Sequence, residues 1–374
     1  MNSADDASGQ PDATITNRKD DHLRLALHDE VEVTRPLGWD AIRLTPRALP
    51  ELALADVDPS VTFLGKRLAF PLIVGSMTGG TELAGTLNRR LARAAARAGI
   101  GMGLGSQRVM LLRPESRMTF RVKEEAPDLP LLIANVGAVQ LNYGVGDRQL
   151  AELVSDVSAD ALVLHLNAAQ EAVQPEGDTN FAGLVAAMRA AARSAAFPIG
   201  VKEVGQGLTR ADVRALVAAD AIGANPFAFI ESAGAGGTSW TLIEGKRAPD
   251  QGGQSLGALF ADWGVPAVTS LRACVEAGAG TPVIGSGGLR SGLDAARAIA
   301  AGASVTAMAL PLLKAAAESE DKAYDAMMEF RRAFVTAMFL VGAKTVHALG
   351  RAPHRIERAL TPANWEGESN DRAQ

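Results

Sequence analysis

Between residues 71 and 309 the chain repeats one pattern eight times: a short, almost wholly apolar run, then a longer segment of helical character. The apolar runs are PLIVGS (71–76), GIGMGLG (99–105), PLLIANVG (130–137), ALVLHLN (161–167), PIGVKEV (198–204), AFIESA (228–233), PVIGSG (282–287) and SVTAMA (304–309). Between them, helical spacing is clearest in LNRRLARAAARAG, DRQLAELVSDVS, FAGLVAAMRAAARSA, RADVRALVAA and LDAARAIAAGA. Strands that show no polar alternation are buried on both faces, the situation of a parallel sheet covered by helices. Eight such units match the α/β architecture of a (β/α)8 TIM barrel. An open, doubly wound sheet is the alternative; the count of eight and the absence of a second domain favour the barrel. A hydrophobic content of 47% is sufficient for so large a core.

Outside the repeat, residues 16–70 carry RKDDHLRLAL and a Pro-punctuated passage, expected to cap or flank the barrel. Residues 234–264, after the sixth strand, read as the longest irregular connection and therefore as a candidate lid. The first fifteen residues and the closing EGESNDRAQ are polar enough to be loose tails. A net charge of −5 argues against a nucleic-acid or anionic-membrane surface. The single cysteine, Cys274, rules out an internal disulfide framework. With no signal-peptide pattern and no apolar stretch near the roughly 18 residues of a membrane helix, the expectation is a cytoplasmic enzyme.

Active sites of such barrels lie at the C-terminal ends of the strands, and here those ends are polar throughout. The first strand ends in Ser76-Met77-Thr78-Gly79-Gly80, the second in Gly105-Ser106-Gln107-Arg108, the third at Asn135. The fourth ends in His165-Leu166-Asn167-Ala168-Ala169-Gln170-Glu171 and the fifth in Lys202-Glu203. The sixth runs on to Gly236-Gly237-Thr238-Ser239-Trp240, and the seventh to Gly285-Ser286-Gly287-Gly288-Leu289-Arg290. Any one of these polar groups is ordinarily a turn or a helix cap. Gathered at one pole, they imply a polar ligand.

The GSGGLRSG loop opens a helix at Ser291, a combination that holds phosphate on backbone N–H groups, although an ordinary turn is the other reading. It is not the dinucleotide fingerprint, because Arg290 stands where the third glycine belongs, so a mononucleotide such as FMN fits better. Lys202, inside an apolar run, needs an anionic or carbonyl partner: the electron-rich edge of a reduced flavin, or a structural carboxylate such as Glu203. His165 and Asn167 share one face of their strand, with Gln170 and Glu171 in the loop beyond. A neutral His, an Asn and a Gln can donate to phosphate oxygens, whereas Glu171 approaches phosphate only through a cation such as Mg2+. Arg18, Lys19 and His22, taken alone, read as a solvated basic arm.

In this order, RKDDH, SMTGG, GSQR, NVGAVQL, HLNAAQEAVQPEGD, VKEVGQGL, GGTSW and GSGGLRSG resemble the type II, flavin-dependent isopentenyl diphosphate isomerases. GGLRSG is shared by many FMN barrels; HLNAAQE together with GSQR and the N-terminal Arg-Lys pair is specific. The resemblance spans roughly residues 16–345 and implies one FMN-binding domain over 16–361, between flexible tails at 1–15 and 362–374. It implies interconversion of isopentenyl and dimethylallyl diphosphate in isoprenoid biosynthesis, with FMN, Mg2+, and NAD(P)H needed only to reduce the flavin. FMN would contact Ser76, Met77, Thr78, Ser106, Asn135, Lys202, Thr238, Gly287, Gly288, Leu289, Arg290, Ala309 and Leu310. The diphosphate would meet Arg18, Lys19, Ser106, Gln107, Arg108, His165, Asn167 and Gln170, with Glu171 on the metal. No His-Asp or Cys-Glu pair stands out for proton transfer, and the resemblance assigns that role to reduced FMN, with Gln170, Lys202 and Trp240 in support. It also implies a homo-oligomer, a tetramer or octamer. Two positions depart from the family: Ala235 stands where arginine is expected and Glu231 where aspartate is usual. The competing readings are another FMN barrel oxidising hydroxy acids or dihydroorotate, and a barrel that senses flavin or phosphate without catalysis.

Overall fold

The eight apolar runs close on themselves. In the computed structural model, which describes residues 10–28 (side chains from Arg18), 30–33, 38–219, 223–357, 360 and 365, they form a closed parallel barrel. Its strands are β1 (Leu72–Val74), β2 (Gly101–Gly103), β3 (Leu132–Gly137), β4 (Ala161–Leu166), β5 (Ile199–Glu203), β6 (Phe229–Glu231), β7 (Val283–Gly285) and β8 (Val305–Met308). Strand order follows the chain, and β8 completes the circle by pairing with β1 through Thr306 and Leu72, Ala307 and Ile73, and Met308 and Val74. The strands are shorter than the apolar runs because each run continues into its loop once the ladder has ended.

Two apolar layers account for the missing alternation. Side chains such as Leu72, Val74, Leu132 and Leu162 pack outward against the helices. Ile73, Ile133, Val163, Phe229 and Ile284 fill the barrel. The flanking segment closes the lower end: Val61–Phe63 and Lys66–Leu68 form an antiparallel hairpin whose Phe63 and Leu68 join the interior cluster. Phe63 meets Phe229 edge to face, with ring centroids 5.9 Å apart. Further along, Ile42–Leu44 pairs with His354–Ile356, tying the N-terminal extension to the far end of the chain.

Two expectations are corrected. Residues 234–264 are not an irregular loop: they carry the helices Trp240–Arg247 and Gln251–Leu259, which cross at Gly245 and Gly257. At the N-terminus, helix Gln10–His28 begins inside the stretch read as a loose tail. Residues 1–9, and most of the closing tail, lie outside the described residues. Among the described residues, no helix is long and apolar enough to cross a membrane.

Candidate active site

β4 ends at Leu166, and Asn167 leaves the strand as the cap residue of the short helix Ala168–Val173. Gln170 and Glu171 therefore stand on the first turn of a helix rather than in a loop. That turn folds them back over the strand end: the Asn167 amide donates to Gln170 Oε1 at 3.2 Å and to Glu171 Oε1 at 2.7 Å. His165 Nδ1 lies 2.8 Å from Asn135 Oδ1, while the Asn135 amide donates to the Leu104 carbonyl. Asn135 is thus the acceptor and the His165 proton sits on Nδ1, which leaves Nε2 as an acceptor and not as the phosphate donor expected of a neutral His. Burial, with the Lys202 and Lys19 charges, lowers the His165 pKa to about 3, so the ring is neutral.

The N-terminal helix brings the supposed arm into this pocket. Leu23 and Ala26 dock the helix on the core, and the same face presents Lys19 and His22 to the strand ends. Lys19 Nζ donates to the Ser106 carbonyl at 2.9 Å and lies 5.2 Å from the centre of the Phe120 ring. Burial, reinforced by Arg18, lowers its pKa to about 7. Arg18 lies 4.0 Å from Glu176, and the Gln174 amide, oriented so that both ends are satisfied, accepts from Arg18 at 2.8 Å. Arg108 pairs with Asp178, which also accepts from Gln140 at 2.9 Å and donates its backbone N–H to Glu171 Oε2 at 2.7 Å. Burial raises the Glu171 pKa against those donors.

Behind this set stands Glu244, a buried carboxylate that the sequence alone did not single out. Gln170 donates to its Oε1 at 2.8 Å, His22 Nε2 lies 2.9 Å from the same oxygen, and Arg247 pairs with the other. Burial opposes its charge, but these partners outweigh burial and pull its pKa down to about 2. Trp240 meets His22 edge to face, with ring centroids 5.3 Å apart. Trp240, Glu244 and Arg247 are one helical turn or two apart, a spacing readable in WTLIEGKR once a helix is allowed there.

A second, glycine-rich cavity adjoins the first. Ser76, Met77, Lys202, Thr238, Gly287, Gly288, Leu289, Arg290, Ala309 and Leu310 line it. It shares Ser76, Met77, Lys202, Val204 and Trp240 with the polar cavity, which Arg18, Lys19, Ser106, Arg108, Asn135, His165, Asn167, Gln170 and Glu171 line. Lys202 Nζ donates to the Glu203 carbonyl at 2.7 Å. The Glu203 carboxylate instead accepts from the backbone N–H groups of Gly205, Gln206 and Gly207, so the structural pair weighed for Lys202 does not form. Burial raises the Glu203 pKa to about 7. Glu231, one of the two departures, faces this cavity and accepts from Ser286 at 2.9 Å. Ala235 pairs its backbone with Val265 and Ala267.

Two expected contacts are not brought together with the rest. Gln107 is fully buried, with its amide on the Leu153 carbonyl and its Oε1 on the Asn135 N–H. Thr78 is buried and lines neither cavity, its carbonyl taken by the Gly105 N–H and the Asn88 amide. A cavity of about 1540 Å³, mainly apolar, lies outside the barrel between Met188, Trp263 and Trp365.

The residues fit both groups, FMN and Mg2+, that the family resemblance implies. A Cβ on Gly287 would lie 2.1 Å from the Gly234 carbonyl, and one on Gly75 2.9 Å from Ala309 Cβ, so only glycines leave these loops so close together. Asn167 Oδ1 is buried without a partner beside Glu171, an acceptor free to take a metal-bound water. No cluster of three metal-ligating side chains exists among the described residues, so a cation here depends on oxygens from its ligand.

The family model described as FMN-dependent dehydrogenase matches residues 14–114 and 257–356. An isopentenyl-diphosphate delta-isomerase of Synechococcus sp. is 47% identical over 311 residues, covering 83% of this chain and 87% of that one. Its counterpart in Rickettsia rickettsii is 41% identical over 339 residues, covering 91% of this chain and 97% of that one. Among solved structures, a mandelate oxidase superposes with a TM-score of 0.62 at 20% identity, covering 92% of this chain and 98% of its own, a likeness of fold.

Proposed function

This chain belongs to the isopentenyl-diphosphate delta-isomerases and to the FMN-dependent dehydrogenase family, and from that premise we propose how its two cavities divide the work. It is an FMN-dependent enzyme that interconverts isopentenyl and dimethylallyl diphosphate. The observation that carries the division is the junction: a glycine-rich cavity and a cation-rich cavity meet at Lys202 and Trp240.

The diphosphate is held in the polar cavity by Arg18, Lys19 and Arg108, with Ser106, Asn167 and Gln170 around them. Glu171 would hold Mg2+ there, and a cation would offset the penalty that burial places on that carboxylate. Loop carboxylates Glu176 and Asp178 now occupy Arg18 and Arg108, and the diphosphate takes their place. The glycine-rich cavity would hold FMN, with Lys202 as the cationic partner that a reduced flavin needs. Reduced FMN, when bound, supplies the acid and base that shift the double bond. Gln170, oriented by Glu244, and the Trp240 ring close the junction around the apolar end of the substrate, keeping water from developing positive charge. NAD(P)H serves to reduce the flavin. The single domain works in the cytoplasm as a homo-oligomer, a tetramer or octamer, in keeping with the exposed Leu259 and Trp263.

Incubation of the reduced enzyme with isopentenyl diphosphate in D2O tests the reading. Deuterium entering both isomers with no net change in flavin oxidation state is the expected result. Flavin reduction driven by a hydroxy acid, with no label exchange, replaces it with the oxidoreductase alternative.

A further inference from the structure

The extension before the barrel reaches back over the glycine-rich cavity at two points. The buried Trp39 indole donates from Nε1 to the Gly287 carbonyl at 2.8 Å, across 248 residues of sequence. Upstream, Glu32 and Thr238 form an antiparallel bridge, with Val33 N–H on the Gly237 carbonyl at 2.9 Å and Ser239 N–H on the Val31 carbonyl at 2.7 Å. In a trans peptide the carbonyl and the following N–H point in opposite directions. Holding the Gly287 carbonyl outward therefore turns the Gly288 N–H the other way, and holding Gly237 does the same for Thr238. Neither N–H donates to another described residue. Gly287 and Gly288 have φ of 105° and 68°, and a Cβ on Gly237 would lie 3.0 Å from Gly288 N, so the two peptides stand side by side. Adjacent backbone N–H groups turned toward one cavity make an anion cradle.

We infer that Trp39 is a positioning residue for the phosphate of FMN: through the Gly287 carbonyl it aims the Gly288 N–H into the cradle. The inference rests on the reading of this cavity as the flavin site. Without the indole N–H, the 287–288 peptide is free to rotate, and the cradle loses a preset donor.

Full-chain holoenzyme is diluted, the freed flavin is read by its fluorescence, and the measurement is repeated after exchange of FMN for riboflavin, which lacks the phosphate. Trp39→Phe keeps the apolar bulk and is expected to weaken FMN about 2- to 10-fold, the effect of one neutral hydrogen bond, with riboflavin affinity unchanged. Trp39→His retains a ring N–H, and its FMN affinity is expected above that of the Phe variant; should Trp39→Phe not fold, Trp39→Leu, which also lacks the N–H, takes its place in the comparison. FMN and riboflavin weakened equally, or FMN unchanged, overturns the inference. If the unsubstituted enzyme holds riboflavin as tightly as FMN, the cradle itself is misread.

Discussion

Lys19 lines the polar cavity with a pKa near 7, because burial withdraws the water that would keep an ammonium charged and Arg18 adds like charge. In the free enzyme it is a cation below about pH 7 and neutral above. An arriving diphosphate favours the cation and raises that pKa, so binding takes up a proton wherever the free amine is neutral. Affinity is therefore highest below about pH 7 and falls as pH rises. The KM for isopentenyl diphosphate is expected to climb between about pH 7 and about pH 9, and to climb less in Lys19→Arg, whose guanidinium stays charged. A KM that is flat over this range in the unsubstituted enzyme removes Lys19 from the diphosphate site. Glu171 is shifted the opposite way, held partly against ionisation by burial. Glu171→Gln is nearly isosteric, keeps an acceptor for only one of the Asn167 and Asp178 donors, and offers Mg2+ no charge. Activity and its Mg2+ dependence should fall by a factor of about 10 to 100, while absorbance at the flavin band shows FMN still bound. Flavin lost together with activity places Glu171 in the wrong cavity.

The element that most alters the site is the helix pair after β6. Trp240–Arg247 supplies Trp240, Glu244 and Arg247, and its position depends on the contact of Gly245 with Gly257 on Gln251–Leu259. A Cβ on Gly257 would come within 2.4 Å of Gly245 Cα and 2.6 Å of the Thr241 carbonyl, all backbone that cannot turn aside. Gly257→Ala should cost about 1 to 3 kcal/mol as overpacking, seen as a lower Tm, and reduce kcat as Trp240 and Glu244 shift. Gly252→Ala, exposed on the same helix and meeting only the Asp250 side chain, serves as the control with neither effect. Equal behaviour of the two variants removes the crossing from the argument. The segment reads as a loop in sequence because glycines at 252, 253 and 257 lower helix propensity. The contact that rewards them lies on another helix.

At the scale of the whole molecule, the barrel separates a packed lower end from a polar upper one. The hairpin at 61–68 inserts Phe63 below, against Phe229, while both cavities open above. Phe63→Ala is expected to lower stability to denaturant by about 3 to 5 kcal/mol, with FMN content and KM unchanged in the folded fraction. Flavin loss from protein that remains folded shows that the two ends are coupled. Both the barrel and the gathering of polar residues at one pole were legible in the chain, because burial on both strand faces suppresses alternation and a strand end is a local event. The sequence likewise carried Arg18, Lys19 and the run from His165 to Glu171 through motifs, each a short contiguous signature. It did not carry the tautomer of His165, the place of Gln107 beneath the site, or the roles of Glu244, Asp178 and Trp39. Those rest on partners far along the chain: Gln170 and Glu244 are 74 residues apart, Arg108 and Asp178 are 70, and Trp39 and Gly287 are 248. Hydrophobic periodicity and turn chemistry record what a residue does with its neighbours in sequence. Which buried polar groups meet, and so which protons and charges the site holds, was decided only when the barrel closed and the N-terminal helix docked across it.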